Sequence, residues 1–341
     1  MFRPIRFLAG SAIALGFALP AFAAPLALTG AGSTFDYPLF SRIFYEYSQK
    51  NPSVTVNYQS IGSGGGIEQF SQKTVDFGAS DVPMNAKELA RAGFPVIQVP
   101  VALGGEGIAY HLPHIKKGLK ITPDVLAGIF LGTITKWNDP ALAKLNPGVK
   151  LPKMPITVVH RSDGSGTTYI FTDYLSAVSP QWLAKVGRGK SVSWPAASSV
   201  GGKGNEGVAG LVQQTPGAIG YVELAYLLSN DMSYAKLQNK AGQYVYPTLQ
   251  TVAAAAATKP EISATDFSIV NAASPESYPI SGYSWALLPV TPANASHAAA
   301  LKTLFDWTVT KGQADAASIG YVPLPANVQA TAVKDIAGMK E

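Results

Sequence analysis

Short apolar runs of strand length repeatedly hand over to helical patterns through glycine-rich turns, and this alternation constrains the fold more than any other property of the chain. Val54-Thr55-Val56-Asn57-Tyr58 and Val96-Ile97-Gln98-Val99-Pro100-Val101 read as strands, whereas Phe40, Phe44 and Tyr47 recur at helical spacing. The pattern predicts α/β lobes. One handover is chemically distinctive. Ile156-Thr157-Val158-Val159 reads as a buried strand, and Tyr169-Ile170-Phe171-Thr172-Asp173-Tyr174-Leu175 carries apolar residues at helical spacing. Between them, His160-Arg161-Ser162-Asp163-Gly164-Ser165-Gly166-Thr167-Thr168 places a cation, hydroxyls and backbone amides at a helix start. The first amides of a helix lack intrahelical acceptors and lie at the positive end of its dipole, so an oxyanion satisfies both deficits.

Residues 1–23 carry Arg3 and Arg6, an apolar run and then Ala21-Phe22-Ala23, the pattern of a cleaved signal peptide. The run is too short to span a membrane as an anchor. Removing it leaves 24 basic against 21 acidic side chains, a mild excess with no polybasic run, which argues against a nucleic-acid partner. The chain has no cysteine, so stability must come from packing, and a bacterial lipid anchor has no acceptor. A freely diffusing, monomeric periplasmic protein is expected. With 47% hydrophobic and 14% charged residues the composition excludes disorder, and the remaining ~318 residues exceed what one core usually serves, so two lobes are expected.

Pro95, Pro100 and Pro113 mark the region where the first lobe should end, and residues 147–155 read as an extended connector. The alanine-rich stretch 252–258 and the segment 298–309 read as helices. Tyr321-Val322-Pro323-Leu324-Pro325 is a tail expected to pack back on a lobe.

Two further glycine-serine turns precede helical segments. Thr29-Gly30-Ala31-Gly32-Ser33-Thr34-Phe35 leads into a helix with Phe40, Ile43, Phe44 and Tyr47 on its apolar face, and Ile61-Gly62-Ser63-Gly64-Gly65-Gly66 leads into a helical segment from Ile67. Ser, Thr and Gly are ordinary cap and turn residues, so each turn alone also has a local explanation. Two open α/β lobes would nevertheless bring such turns to the cleft between them. The enzyme motifs they approach fail in detail. Ile67 stands where a dinucleotide fingerprint needs glycine, Gly202-Lys203-Gly204 lacks the hydroxyl of a nucleotide P-loop, and Ser165 is in no Gly-x-Ser-x-Gly elbow. His111, His114, His160 and His297 form no metal-site pattern beyond a bare His-x-x-His in a proline-containing loop, short of the three protein ligands a catalytic site needs, so neither metal nor cofactor is expected. From residue chemistry alone, Asp81 fits equally a helix cap before Val82-Pro83-Met84 and a ligand-facing carboxylate.

Taken together, Leu28-Thr29-Gly30-Ala31-Gly32-Ser33-Thr34-Phe35, Tyr58-Gln59-Ser60-Ile61-Gly62-Ser63-Gly64-Gly65-Gly66, Asp76-Phe77-Gly78-Ala79-Ser80-Asp81 and Arg161-Ser162-Asp163-Gly164-Ser165-Gly166-Thr167 resemble the periplasmic phosphate-binding protein of bacterial phosphate ABC transporters. The resemblance continues through Leu131-Gly132-Thr133-Ile134-Thr135-Lys136-Trp137-Asn138-Asp139-Pro140, Gly201-Gly202-Lys203-Gly204-Asn205-Glu206-Gly207 and Pro216-Gly217-Ala218-Ile219-Gly220-Tyr221-Val222-Glu223. It covers the chain in order after the signal segment, thinning between residues 231 and 277.

The resemblance implies a two-lobed, type II-like periplasmic binding protein with hinge strands. Lobe 1 would comprise residues 24–106 and 281–341, and lobe 2 residues 107–280. It implies high-affinity binding of inorganic phosphate and delivery to an ABC-type permease, without catalysis. By motif position Thr34, the Phe35 amide, Ser63 and Asp81 would come from lobe 1, and Arg161, Ser165, the Gly166 amide and Thr167 from lobe 2, with Asp163 orienting Arg161. Asp81 would discriminate against sulfate by accepting a phosphate proton. The family often shows two serines in the second turn, and Gly64 replaces the second. Other readings are a site for another tetrahedral oxyanion or a phosphate ester and, from a different class, an exported phosphatase, which would need an activated nucleophile and usually a metal pair.

Overall fold

The computed structural model describes residues 25–340, so the segment read as a signal peptide lies outside the described residues. Among these, eight strands form one sheet in the order β2-β1-β3-β11-β4-β8-β6-β7. They are β1 (Leu26–Gly32), β2 (Val54–Ser60), β3 (Phe77–Ser80), β4 (Val96–Tyr110), β6 (Thr157–Arg161), β7 (Ser199–Gly202), β8 (Ala218–Glu223) and β11 (Ser281–Pro289). A small second sheet joins β5 (Lys120–Ile121), β9 (Lys236–Gln238) and β10 (Tyr244–Val245). β1 runs parallel to both β2 and β3, and β6 runs parallel to both β7 and β8. Each parallel set needs helical crossovers that cover its faces, which is why β3 and β8 are buried at every residue. The fold is therefore two α/β lobes, as the alternation predicts.

The helix Tyr37–Lys50 shows how sequence sets this packing. Pro38 occupies its first turn, where no intrahelical donor is lost, and Leu39, Phe40, Ile43, Phe44 and Tyr47 form its buried stripe. Its Phe44 ring packs edge-on to Phe77 of β3 at 5.8 Å, and Phe77 in turn meets Phe305 at 5.0 Å. Each such side chain contributes about 1.5–3 kcal/mol by leaving water, so Phe44→Ala would loosen this helix from β3.

The two lobes are joined through strands. β4 pairs antiparallel with β11 from Val96 to Gly105 and then antiparallel with β8 from Glu106 to Tyr110. The sequence indicates only its first six residues as a strand, because Pro100 and Gly104-Gly105 resemble punctuation. The proline is accommodated at an irregularity: Trp285 pairs with Pro100 and Ser284 with Ala102, so the register slips there.

Other local expectations shift by a few residues. The alanine-rich helix is Leu249–Ala257, starting earlier than expected because Thr248 and Thr251 form a reciprocal cap. The helix after the second glycine turn starts at Ser63, with the glycines inside its first turn. The later helix is Ala295–Val309, and the tail does pack back: Val322 bridges to Leu103 of β4, and Tyr321 is fully buried.

Candidate functional site

Four strand ends carry the site. β1 is followed by Ser33-Thr34-Phe35, β2 by the turn before Ser63 and β3 by Asp81, while β6 ends at Arg161. Ser63, Asp81, Arg161, Ser165 and Thr167 are all buried, as are Thr34 and Phe35. Asp81 is not a helix cap. The following helix, Ala86–Ala92, is capped by Asn85, whose side chain accepts from the Lys87 and Glu88 amides. The Asp81 carboxylate instead accepts from Ser33 Oγ, from Ser284 Oγ at 2.8 Å and from Thr167 Oγ1 at 3.2 Å. The last of these crosses between lobes.

Arg161 is held by its neighbours in sequence. Its Nε donates to Asp163 Oδ1 at 2.8 Å and its Nη2 to Asp163 Oδ2 at 2.5 Å, a two-bond fork, and its Nη1 donates to Thr167 Oγ1 at 3.2 Å. Asp163 also receives the Gly204 amide at 3.1 Å. Burial alone would raise the Asp163 carboxyl, but the Arg161 hydrogen bond and charge outweigh it and hold the group below the usual range. Burial would likewise lower Arg161, yet its bond to Asp163 keeps it above its ordinary value. Burial is also the largest influence on Asp81 and raises it, opposed by Ser33, Ser284, Arg161 and Thr167.

Several other bonds span the cleft. The Gly166 amide donates to Ser63 Oγ at 3.0 Å, and the Gly64 amide donates to Gly164 O at 2.7 Å. That second contact explains the missing serine: a Cβ at position 64 would lie 2.9 Å from Gly164 Cα, so the two turns meet backbone to backbone only without a side chain. Lys190 also pairs with Glu88. Ser165 Oγ accepts the Thr168 amide at 3.0 Å and so caps the helix Gly166–Val178. Phe35 contributes a carbonyl to Tyr321 Oη, and its ring meets the Tyr321 ring edge-on at 6.1 Å. Hydrogen bonds thus link Ser63, Asp81, Arg161, Asp163, Gly166 and Thr167, with Thr34 joined through Asn205, whereas Phe35 and Ser165 bond to Tyr321 and Thr168.

Three partners were not anticipated. Asn205 Nδ2 donates to Thr34 Oγ1 at 2.9 Å and to Thr167 Oγ1 at 3.2 Å, while its Oδ1 accepts the Glu223 amide at 3.0 Å. It ties a hydroxyl from each lobe to the end of β8. Tyr226 Oη donates to Thr34 O at 2.6 Å, and Ser284 of β11 contacts both Asp81 and Asp36. Asn205 stands inside the Gly-Lys-Gly-Asn-Glu-Gly segment, so its motif was visible and its role was not. His160 turns away: its ring stacks on Trp194 at 4.9 Å, and burial lowers its pKa.

Two α/β lobes sharing strands, with turns from both closing around a buried carboxylate, guanidinium and hydroxyl set, define a two-lobed solute-binding protein. The family model described as the PBP superfamily domain matches residues 20–311. A phosphate-binding protein PstS from Xylella fastidiosa is 48% identical over 88% of this chain and 82% of its own. A second, from Haemophilus influenzae, is 45% identical over 91% of this chain and 92% of its own. The chain belongs to this PstS family of the PBP superfamily. Among solved structures, a phosphate-binding protein from Stenotrophomonas maltophilia shares the fold at a TM-score of 0.70 and 18% identity, covering 90% of this chain and 93% of that one.

Proposed function

We propose that the protein binds one inorganic phosphate between its lobes in the periplasm and delivers it, as a monomeric carrier without catalysis, to the permease of a phosphate ABC transporter. Membership of a family whose relatives are named phosphate-binding proteins supports the ligand class. No helix among the described residues is long and apolar enough to cross a membrane. The carrying observation is Thr167, whose hydroxyl donates to Asp81 and accepts from Arg161. An acceptor for a ligand proton and a lasting positive charge thus stand one hydroxyl apart.

In this reading Arg161, oriented by Asp163, supplies the positive charge. The hydroxyls of Thr34, Ser63, Ser165 and Thr167 donate to ligand oxygens on binding, joined by the Phe35 and Gly166 amides, with the Thr167 hydroxyl turning from Asp81 and the Gly166 amide from Ser63. Phosphate near neutral pH keeps at least one proton, which Asp81 accepts. Sulfate has none, so it would meet the desolvated, like-charged Asp81 carboxylate without a proton to share, a penalty of several kcal/mol. Charge-assisted bonds of about 1.5–3 kcal/mol each suffice for the ~8 kcal/mol of micromolar binding after association costs.

Lobe 1 is assigned residues 24–106 and 281–341 and lobe 2 residues 107–280, a division supported by β4 changing partner from β11 to β8 at Gly105 and Glu106. Because contacts come from both sides, phosphate favours the closed form, and the permease can read that difference. Calorimetric titration with phosphate and with sulfate tests the proposal. Phosphate should bind and sulfate should not, and Asp81→Asn should bind phosphate more weakly while rejecting sulfate less. Equal affinity for the two anions in the unaltered protein would refute the reading.

A further inference from the structure

Asp36 lies at the start of the helix Tyr37–Lys50, where aspartate usually caps, yet its side chain makes no capping bond. It is fully buried and reaches instead toward β11, where Ser284 Oγ lies 2.7 Å from Asp36 Oδ2 and 2.8 Å from Asp81 Oδ1. Its other oxygen, Oδ1, is buried without a hydrogen-bond partner.

Counting hydrogens decides what this arrangement can be. The Ser284 hydroxyl has one proton and can donate to one carboxylate. If it donates to Asp81, its contact with Asp36 is a hydrogen bond only when Asp36 is itself a carboxylic acid donating to Ser284 Oγ. The reverse assignment, with the proton on Asp81, is poorer. Asp81 also receives Ser33 and Thr167 hydroxyls and lies within the field of Arg161, all of which stabilise the ionised form. Asp36 has Ser284 alone and an unpartnered oxygen, which would be costly on a buried carboxylate.

We propose that Asp36 is a positioning residue for anion recognition, a neutral acid that donates to Ser284 so that Ser284 donates to Asp81 and Asp81 stays ionised. The chain Asp36–Ser284–Asp81 then leaves a lone pair of Asp81 for the ligand proton. This rests on the reading of Asp81 as the acceptor of a phosphate proton. The surroundings favour the neutral acid. The titratable groups that face Asp36 are Asp81, Glu223 at the end of β8, Tyr58 of β2, Tyr226 and Tyr321. Burial, and then the charge of Asp81, push Asp36 well above the carboxylate range, and burial holds all three tyrosines above their ordinary value as well.

Asparagine reproduces the donor of a neutral acid without its titration, whereas alanine removes the donor. Phosphate affinity of Asp36→Asn should stay within about threefold of the unaltered protein, and Asp36→Ala should be weaker by about tenfold or more. As pH rises through the Asp36 titration, the unaltered protein should lose affinity relative to Asp36→Asn at each pH, because an ionised Asp36 repels both Asp81 and the anion. With aspartate carboxyls labelled with carbon-13, one carboxylic-acid signal should persist at neutral pH and vanish in Asp36→Asn. The proposal is overturned if Asp36→Asn is as weak as Asp36→Ala, if the two pH profiles run parallel, or if no acid signal disappears. Asp81→Asn, titrated alongside, separates the two ideas: unchanged phosphate affinity there removes the Asp81 reading, whereas a weakened Asp81→Asn with parallel pH profiles removes only Asp36.

Discussion

Gly166→Ala offers the sharpest test of how the two lobes meet. A methyl group at position 166 would stand 2.5 Å from Asp81 Cβ, 2.6 Å from Asp81 N and 2.7 Å from Ser63 Oγ, all on the facing lobe. Non-bonded carbon atoms pack at about 3.5–4.0 Å, so the lobes must separate by a substantial fraction of an ångström or distort. Two losses follow. The bond from the Gly166 amide to the ligand is stretched, costing about 0.5–1.5 kcal/mol, and the steric insertion costs about 1–3 kcal/mol. Together they come to about 1.5–4.5 kcal/mol, or roughly 12- to 1,600-fold in phosphate Kd. Calorimetric titration reads this directly. The ligand-free protein should keep its denaturation midpoint, because the clash lies between lobes and not within one. Gly210→Ala is the control, since a Cβ there meets nothing within 4 Å, and it should leave affinity unchanged. A Gly166→Ala variant binding within threefold of the unaltered protein would refute the close approach of Gly166 to Asp81.

Arg161→Ala should abolish ligand-induced compaction in X-ray scattering, because it removes the buried cation that holds Thr167 and the anion; compaction that persists would contradict its role. Lys190→Ala removes the partner of Glu88 while leaving the Asn85 cap intact, so phosphate affinity should fall by no more than about fivefold and the difference should shrink in high salt. Glu106 has both carboxylate oxygens buried without partners, and burial, followed by the charge of Asp81, raises its pKa well above the usual value. A carboxyl raised in the folded state favours folding at low pH, and that contribution is lost as pH climbs from the ordinary carboxylate range toward the raised value. Glu106→Gln should therefore match the unaltered protein in acid and gain stability relative to it as pH rises, by at most about 1.4 kcal/mol per pH unit. Denaturant midpoints measured across pH should show the curves diverging, and parallel curves would disprove an elevated Glu106.

What the sequence made legible was local. The glycine-serine turns, the apolar stripe of Phe40, Ile43, Phe44 and Tyr47, and the pair Arg161 and Asp163 each lie within a few residues, where spacing carries the information. The second half of β4 was not legible, because Pro100, Gly104 and Gly105 resemble turn residues until β11 is beside them; a Cβ at Gly104 would meet the Phe35 ring at 2.7 Å. β11 itself gives no alternation to detect, since it is buried on both faces and carries Ser281 and Ser284 among its apolar residues. The partners of the site were hidden for the same reason. Asn205 reaches Thr34 across 171 positions of sequence, and Ser284 reaches Asp36 across 248. Asp36 was further disguised, since an aspartate at a helix start has an ordinary explanation that its actual bonds do not follow.

The place of β11 in the sheet has a consequence for how the chain comes to be folded at all. It lies between β3 and β4, yet it is contributed by residues 281–289, long after both neighbours. A chain that emerges N-terminus first thus leaves a gap in the middle of its first lobe until most of its length is available. The strands on either side have no partner for those edges in the meantime, so the second lobe can assemble before the first is complete. Synthesis order and assembly order are opposed, and a chain shortened before residue 281 should yield no finished first lobe.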